Sequence, residues 1–375
     1  MVEKQKQREQ MMKELYTMRR AAGYGSNFHT FQDYMNYRAH LELLERREAL
    51  PPSPSLADLR SKSPAQRKER RYSTSDYVET DLLTRSLEKA RETLNSPRPP
   101  KPFIPSFDQL RISARNKDEA IERTLRPKRP PLPASLPPED EAQVADFLAN
   151  PKFLARLKRE KVAAPDLERL TPGLWLNDEI INFYGALMMS RWETEKENRA
   201  NQPQGNPTGR AGSRLLNIHY FNSFFWPKLL KEGYTTSLAR WTNKVDIFAK
   251  DAVILAVNHG NSHWTAAAIN FRRKRIESYD SMGFVRDTVY KVLRDYLDGE
   301  HRDKKKKPFD FTGWENYTLE ATPQQENGYD CGVFTCQFME YLSRGEQEFN
   351  FTQEDMPYLR SRMIWEIGNV RLRDD

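Results

Sequence analysis

The sequence predicts an α+β domain preceded by a long arm without a core of its own. Three observations carry that reading. All seven tryptophans lie after residue 170, whereas 15 of the 24 prolines lie before residue 139. Tryptophan marks where a core can be built and clustered proline where it cannot. Charge divides at the same place: residues 1–135 hold 27 Lys and Arg against 18 Asp and Glu, and residues 136–375 hold 33 against 35. Strand-length apolar runs alternate with helical spacing only in the second part. The expected organisation is a basic, Pro/Ser-rich, disordered arm over 1–138 and a folded domain over 139–375.

Within the arm, PPSPSLADLRSKSPAQRKERR and NSPRPPKPFIPSF combine proline, serine and basic residues without sustained periodicity. Short helices are expected around 37–49, where Tyr37, Leu41 and Leu44 share a face, and over 77–94. The basic clusters at 67–71 and 126–129 read as nuclear-localisation or phosphate-binding patches. No aromatic platform or zinc-ligand spacing accompanies them, so no specific nucleic-acid partner is expected. Ser53, Ser63 and Ser96 precede prolines and are candidate phosphorylation sites. No apolar run approaches the roughly 20 residues that cross a bilayer, and the first thirty residues hold no signal-peptide core. Two cysteines in 375 residues argue for a reducing compartment. The expectation is a soluble, intracellular chain.

The elements of the domain follow in order. RPPLPASLPP (129–138) reads as an extended linker. EDEAQVADFLANPKFLARLKRE has helical spacing on either side of Pro151, acidic residues early and basic ones late, which suits the helix dipole. WLNDEIINFYGALMMSRW (175–192) is a second helix, with Asn177 or Asp178 as N-cap. The polar, Gly/Pro-rich run at 197–213 reads as a surface loop, and the segment from 214 to 248 is dense in aromatics. Residues 251–258, 263–271 and 274–280 read as three strands, the last two joined by a tight FRRK hairpin. Residues 285–298 return to helical spacing, a Lys-rich loop and a strand at 316–321 follow, and CGVFTCQFMEYLSRG fits a helix stopped by Gly345.

That last helix holds both cysteines. Cys331 follows the turn-forming run Asn-Gly-Tyr-Asp and opens the helix, where unpaired N–H groups and the positive dipole end favour a thiolate. Gly332 would leave room beside the sulfur for a substrate backbone. Cys336 lies inside the helix as a small apolar side chain, poorly placed for a disulfide with Cys331. A thiol nucleophile needs a base, and the base an orienting acceptor. Of six histidines, His263 opens a strand whose hairpin partner ends at Asp280, which puts acid and imidazole within reach; His259 lacks that constraint. Gln325 or Gln324 would supply a side-chain amide to an oxyanion, beside the Cys331 N–H. The set His–Asp–Gln–Cys suits acyl transfer.

Together, HW (263–264), Asp280 seventeen residues on, PQQENGYDCGVFTC (323–336), WLNDEIINFY (175–184) and FNSFF (221–225) resemble the ubiquitin-like-protein-specific cysteine proteases, the SUMO-protease family. The resemblance covers about residues 160–370. It implies a papain-like α+β fold of the adenain type, with the cysteine helix packed on a mixed sheet. It implies His263 as base, Asp280 as its orienter, Cys331 as nucleophile and Gln325, rather than Gln324, as oxyanion donor. Trp175 and Trp264 would enclose the Gly-Gly tail of the substrate, since only glycine passes between two indoles without a Cβ clash. Asp178 matches a position that pairs with a basic residue of the ubiquitin-like partner, and Phe224 and Trp241 match contact positions. Pro165 stands where a relative carries a basic contact residue. No metal or organic cofactor is implied. The expected activity is maturation of a SUMO precursor and isopeptide cleavage from lysines by a monomer. The arm would address the chain to the nucleus or its envelope or pore through transport factors. Competing readings are a protease for the cullin-modifying ubiquitin-like protein, an acyltransferase using the same residues, and a catalytically dead binding module.

Overall fold

The computed structural model describes residues 2–48, 83–89, 91, 131–200, 215–346 and 348–373. The chain divides into two compact units, one of Met1–Ile104 with Glu326–Gly328 and the other of Pro105–Gln325 and Tyr329–Asp375. In the first, α1 (Val2–Ala21) and α2 (Phe28–Glu48) form where the sequence reading expects an arm without a core. Met12, Leu15, Phe31, Met35 and Ala39 pack with Leu83 and Leu87 in a small core of their own. Gly23 takes φ +100° after α1, which a residue with a Cβ adopts poorly. Asn27 caps α2 by accepting the Thr30 N–H at 2.9 Å. The helix expected at 37–49 is thus the second half of α2, and the one expected over 77–94 is helical at 83–89. The serines at 53, 63 and 96, the basic clusters at 67–71 and 126–129, and most of the loop at 197–213 lie outside the described residues.

The second unit starts ahead of the expected boundary at 139. Leu136, inside the expected linker, is buried in the main core and Leu132 packs beside it. The helix α3 (Pro138–Ala149) then ends at Asn150, whose extended backbone (φ −87°, ψ 103°) is what the following proline demands. The chain beyond Pro151 is not helical. It forms the hairpin β1 (Leu154–Leu157) and β2 (Glu160–Ala163), turning at Lys158 with φ 54°. A short helix α4 (Ala164–Leu167) follows, with Pro165 in its first turn, where a missing N–H costs nothing. The long helix α5 (Asp178–Ala200) starts at Asn177, whose Oδ1 accepts the Ile180 N–H at 3.2 Å. Asn177 is therefore the cap, and Asp178 is the first helical residue.

The remaining elements are β3 (Ile218–Phe221), α6 (Phe225–Glu232), α7 (Thr236–Ala239), β4 (Ala252–His259), β5 (His263–Asn270), β6 (Arg275–Tyr279), α8 (Asp287–Lys305), β7 (Glu315–Tyr317), α9 (Cys331–Ser343) and α10 (Met356–Gly368). The five strands run in the order β3-β4-β5-β6-β7. The outer pairs are parallel and the two inner pairings antiparallel, a mixed sheet. Alternation along β4 and β5 sends side chains to two cores. Ile254, Ala256, Ala266 and Ala268 face the core shared with α5, α9 and α10. Val253, Leu255, Val257, Ala267 and Ile269 face the one shared with α6 and α8. Because both faces are covered, these strands read as unbroken apolar runs. The helix α8 takes in the first two residues of the expected Lys-rich loop, ending at Lys305, and Lys306 caps it in the left-handed conformation. All thirteen residues of α9 are buried, as befits a helix enclosed by a sheet and other helices. Gly345 ends it with φ +70°.

One close approach gives a stability test. A Cβ on Gly185 of α5 would stand 2.1 Å from the Tyr220 ring of β3. The Tyr220 hydroxyl donates to Asn182 Oδ1 at 3.1 Å, so the ring is not at liberty to swing away. Gly185→Ala would gain about 1 kcal/mol of helix propensity, yet overpacking should outweigh it. The expected net loss is about 1–3 kcal/mol by urea unfolding.

Candidate active site

Cys331 is the first residue of α9 and is buried. His263 opens β5 just past the 260–262 turn, where Gly260 and Asn261 both take positive φ. Asp280 follows the last residue of β6. The antiparallel register pairs Ala266 with Tyr279, so the start of one strand lies beside the end of the other. His263 Nε2 lies 2.7 Å from Asp280 Oδ1, with both side chains essentially inaccessible. Asp280 is held from two further directions. The Met282 N–H donates to Oδ1 at 2.8 Å and Arg286 Nε donates to Oδ2 at 2.8 Å.

Burial alone would lower the affinity of His263 for its proton. The charge of Asp280 and the hydrogen bonds to Asp280 and Cys331 outweigh it and raise the imidazole pKa to about 10. Since Asp280 occupies Nε2, the other ring nitrogen, Nδ1, is the one that can serve the sulfur. His259, the rival histidine, bonds Thr265 Oγ1 at 3.0 Å instead. Burial drives its pKa down to about 4, against the pull of Asp280, so it stays neutral. Cys336 is wholly buried; burial first, and the nearby Glu366 second, push its thiol far up.

Gln325 is buried, and its orientation is set by Ser281. The Ser281 hydroxyl donates to Gln325 Oε1 at 2.6 Å, and the Gln325 backbone N–H donates to the Ser281 carbonyl at 2.8 Å. With its oxygen so engaged, the amide presents its nitrogen as donor. Gln324 differs: it is exposed, and its Nε2 donates to the Thr322 carbonyl at 2.9 Å. Gly332 does not open a gap beside the sulfur. The space over it is filled by Leu176, whose Cβ lies 2.8 Å from where a Gly332 Cβ would stand.

Trp175 is 40% exposed, and Trp264, at 8%, is part of the main core. Phe224 is 58% exposed. Trp241 is half-buried against Phe225, ring to ring at 5.5 Å, on the other side of the sheet. Asp178 is half-buried beside Glu179 and Glu160. Burial first, and this crowding of carboxylates second, raise the pKa values of Glu160 and Glu179, a local excess of negative charge. Ser281, Arg286, Asp330 and Arg360 belong to the site's surroundings and were not anticipated. Only Ser281 and Asp330 left any sequence signal, as neighbours of Asp280 and Cys331. Among the described residues no group of three His, Cys, Asp or Glu could hold a metal, and no helix is long and apolar enough to cross a membrane.

A thiol at a helix start, an imidazole fixed by a buried carboxylate and an oriented amide, on a mixed sheet packed by helices, define a cysteine-protease catalytic domain. Residues 208–372 match the model of the Ulp1 protease family, C-terminal catalytic domain. It is 41% identical over 212 residues to a sentrin-specific protease of Caenorhabditis elegans, covering 56% of this chain and 28% of that protein. It is 32% identical over 284 residues to the ubiquitin-like-specific protease ESD4 of Arabidopsis thaliana, covering 71% and 53%. The solved catalytic domain of a Chaetomium thermophilum Ulp1-like SUMO protease superposes with a TM-score of 0.54 at 27% identity, over 66% of this chain and 96% of that one. The chain thus spans about half or less of these two full-length relatives.

Proposed function

We propose that the chain is a thiol protease that cleaves after the C-terminal Gly-Gly of SUMO, maturing the precursor and releasing SUMO from substrate lysines. The observation that carries this reading is the buried His263–Asp280 pair beside the Cys331 thiol. Cys331 thiolate attacks the carbonyl carbon of the terminal glycine. The negative oxygen that results is received by the Gln325 amide and the Cys331 N–H. His263, oriented by Asp280, gives its proton to the leaving lysine or peptide amine as the C–N bond breaks. The remaining thioester is cleaved by water, from which His263 takes a proton; the glycine carboxylate leaves and the thiolate returns. Trp175 and Trp264 flank the tail, Asp178 meets a basic residue of SUMO, and Phe224 and Trp241 contribute contacts. The catalytic unit is the second compact unit, whose core takes in Leu132 and Leu136 ahead of α3. The basic clusters of the arm serve nuclear or nuclear-pore targeting through transport factors.

The protein names among the relatives favour SUMO over the cullin modifier as substrate. The test is to incubate the full chain with each modifier carrying a C-terminal electrophile and look for an adduct by mass. Adduct with SUMO alone, lost in Cys331→Ser, is expected. Adduct with the cullin modifier alone overturns the substrate, and none with either overturns the protease reading in favour of a binding module.

A further inference from the structure

Trp175 lies on an irregular segment between the 3-10 turn Glu168–Leu170 and α5 and is 40% exposed. Its two neighbours in sequence are nevertheless tied to the two neighbours of Cys331. On one side, Leu176 rests directly on the Cα of Gly332, so close that a Cβ there would meet it at 2.8 Å. On the other, the Leu174 carbonyl accepts from Arg360 Nη2 at 3.0 Å. The same guanidinium holds Asp330 Oδ1 through Nη2 at 2.6 Å and Nε at 2.9 Å. Its Nη1 reaches back along the segment to the carbonyls of Arg169 and Thr171, each at 3.1 Å. Asp330 makes no side-chain cap to its own helix; its carboxylate is given over to Arg360 and to Gln353. Both charges of the pair are about 97% buried, where an unmade hydrogen bond is costly.

We propose that Arg360 is a positioning residue that keys the Trp175 segment to the nucleophile helix, holding the exposed indole in one register with the Cys331 thiol. The inference rests on the protease reading for its catalytic consequence and on geometry alone for its mechanical part. Arg360 donates to oxygens of two segments far apart in sequence, the carbonyls of Arg169, Thr171 and Leu174 and, at 329–330, the Tyr329 carbonyl and the Asp330 carboxylate, in directions fixed by one planar group. Lysine keeps the charge beside Asp330 but has no fork with which to reach the carbonyls of Arg169, Thr171 and Leu174 together. On this reading the effect of Arg360 on turnover passes through Trp175, and not through Asp330 and the thiol beside it.

Two measurements on the full chain test this. Amide hydrogen exchange across residues 169–177 should be about 10-fold faster in Arg360→Lys, because the segment opens locally once its carbonyl ties are gone. Unchanged exchange overturns the proposal whatever the substrate. The second is a double-variant cycle on cleavage of a C-terminal SUMO fluorogenic amide. Arg360→Lys should cost roughly 100-fold in kcat/KM, the scale of a 1 Å misplacement. In a Trp175→Ala background it should cost less than about 3-fold, since coupled residues are not additive. The rate at which iodoacetamide alkylates Cys331, and its pH profile, should stay unchanged. Additive losses, or a shifted alkylation profile, assign Arg360 to the fold or to the thiol and overturn the proposal. If Arg360→Lys fails to fold, the pair Arg360→Met with Asp330→Asn removes both buried charges at once and is read by the same criteria. A wild-type chain that does not cleave SUMO overturns the functional reading, and the exchange result alone then decides this one.

Discussion

Cys331→Ala is expected to abolish turnover of SUMO substrates, by on the order of 10⁵–10⁶-fold in kcat/KM, the scale seen when a covalent nucleophile is removed. Binding of SUMO should survive, because the surfaces around Trp175, Asp178 and Phe224 are untouched. The other thiol provides the control. Cys336 lies five residues along the same helix, wholly buried, with its thiol pushed far up by burial. The thiolate is the reactive form, so Cys336 should be inert to the C-terminal electrophile at neutral pH. Cys336→Ala should keep full adduct formation and lose about 1 kcal/mol of stability from the small cavity it leaves. Intact-mass measurement of both variants decides. One adduct in wild type and in Cys336→Ala, with none in Cys331→Ala, is the expected pattern. Adduct surviving in Cys331→Ala would remove Cys331 from the chemistry.

Why Cys331, His263 and Asp280 were readable, and their supports were not, has a physical basis. The strands β4, β5 and β6 are covered on both faces, so they announce themselves as apolar runs, and the tight turns between them fix which ends meet. Once the hairpin is placed, a histidine at the start of one strand and an aspartate at the end of the next must lie close. The hairpin β1–β2 looks helical in the sequence because its strands have only four residues each, too few for a two-residue period to show against Phe153, Leu154 and Leu157. The first unit gives no comparable signal because Met12, Leu15, Phe31 and Met35 are scattered among polar and charged residues, and the third piece of its core, Leu83 and Leu87, comes from far along the chain. Arg360 left no trace for a different reason. Three of its four closest partners in the Trp175 segment and beside Cys331 are backbone carbonyls, and a carbonyl carries no residue-type signal. The same holds in part for Ser281, which fixes Gln325 through one side-chain and one backbone contact.

Asp280→Asn is expected to lower kcat/KM at neutral pH on the order of 10²–10⁴-fold and to move the basic limb of the activity profile to lower pH. Burial disfavours the charged imidazole, and the Asp280 carboxylate supplies most of the opposing pull, so the wild-type imidazolium persists up to about 10. A raised imidazole pKa means the protonated form, which donates to the leaving amine, is present below that value and lost above it. An asparagine amide at the same place carries no charge. It supplies no charge to hold the proton on a buried ring, and the pKa of His263 must fall. At pH 8 the wild type then keeps its proton donor, whereas the variant has given it up. Arg286, whose Nε donates to Asp280 Oδ2 from a site nearly as buried, loses its counter-charge in the same step. Some loss of stability, on the order of 3–5 kcal/mol, should accompany the kinetic effect. The two consequences separate by their pH dependence. A fold defect alone scales the profile down without moving it, whereas a lost partner of His263 shifts its basic limb. A limb that stays near 10 in a folded Asp280→Asn protein would mean that something other than Asp280 holds the proton on His263.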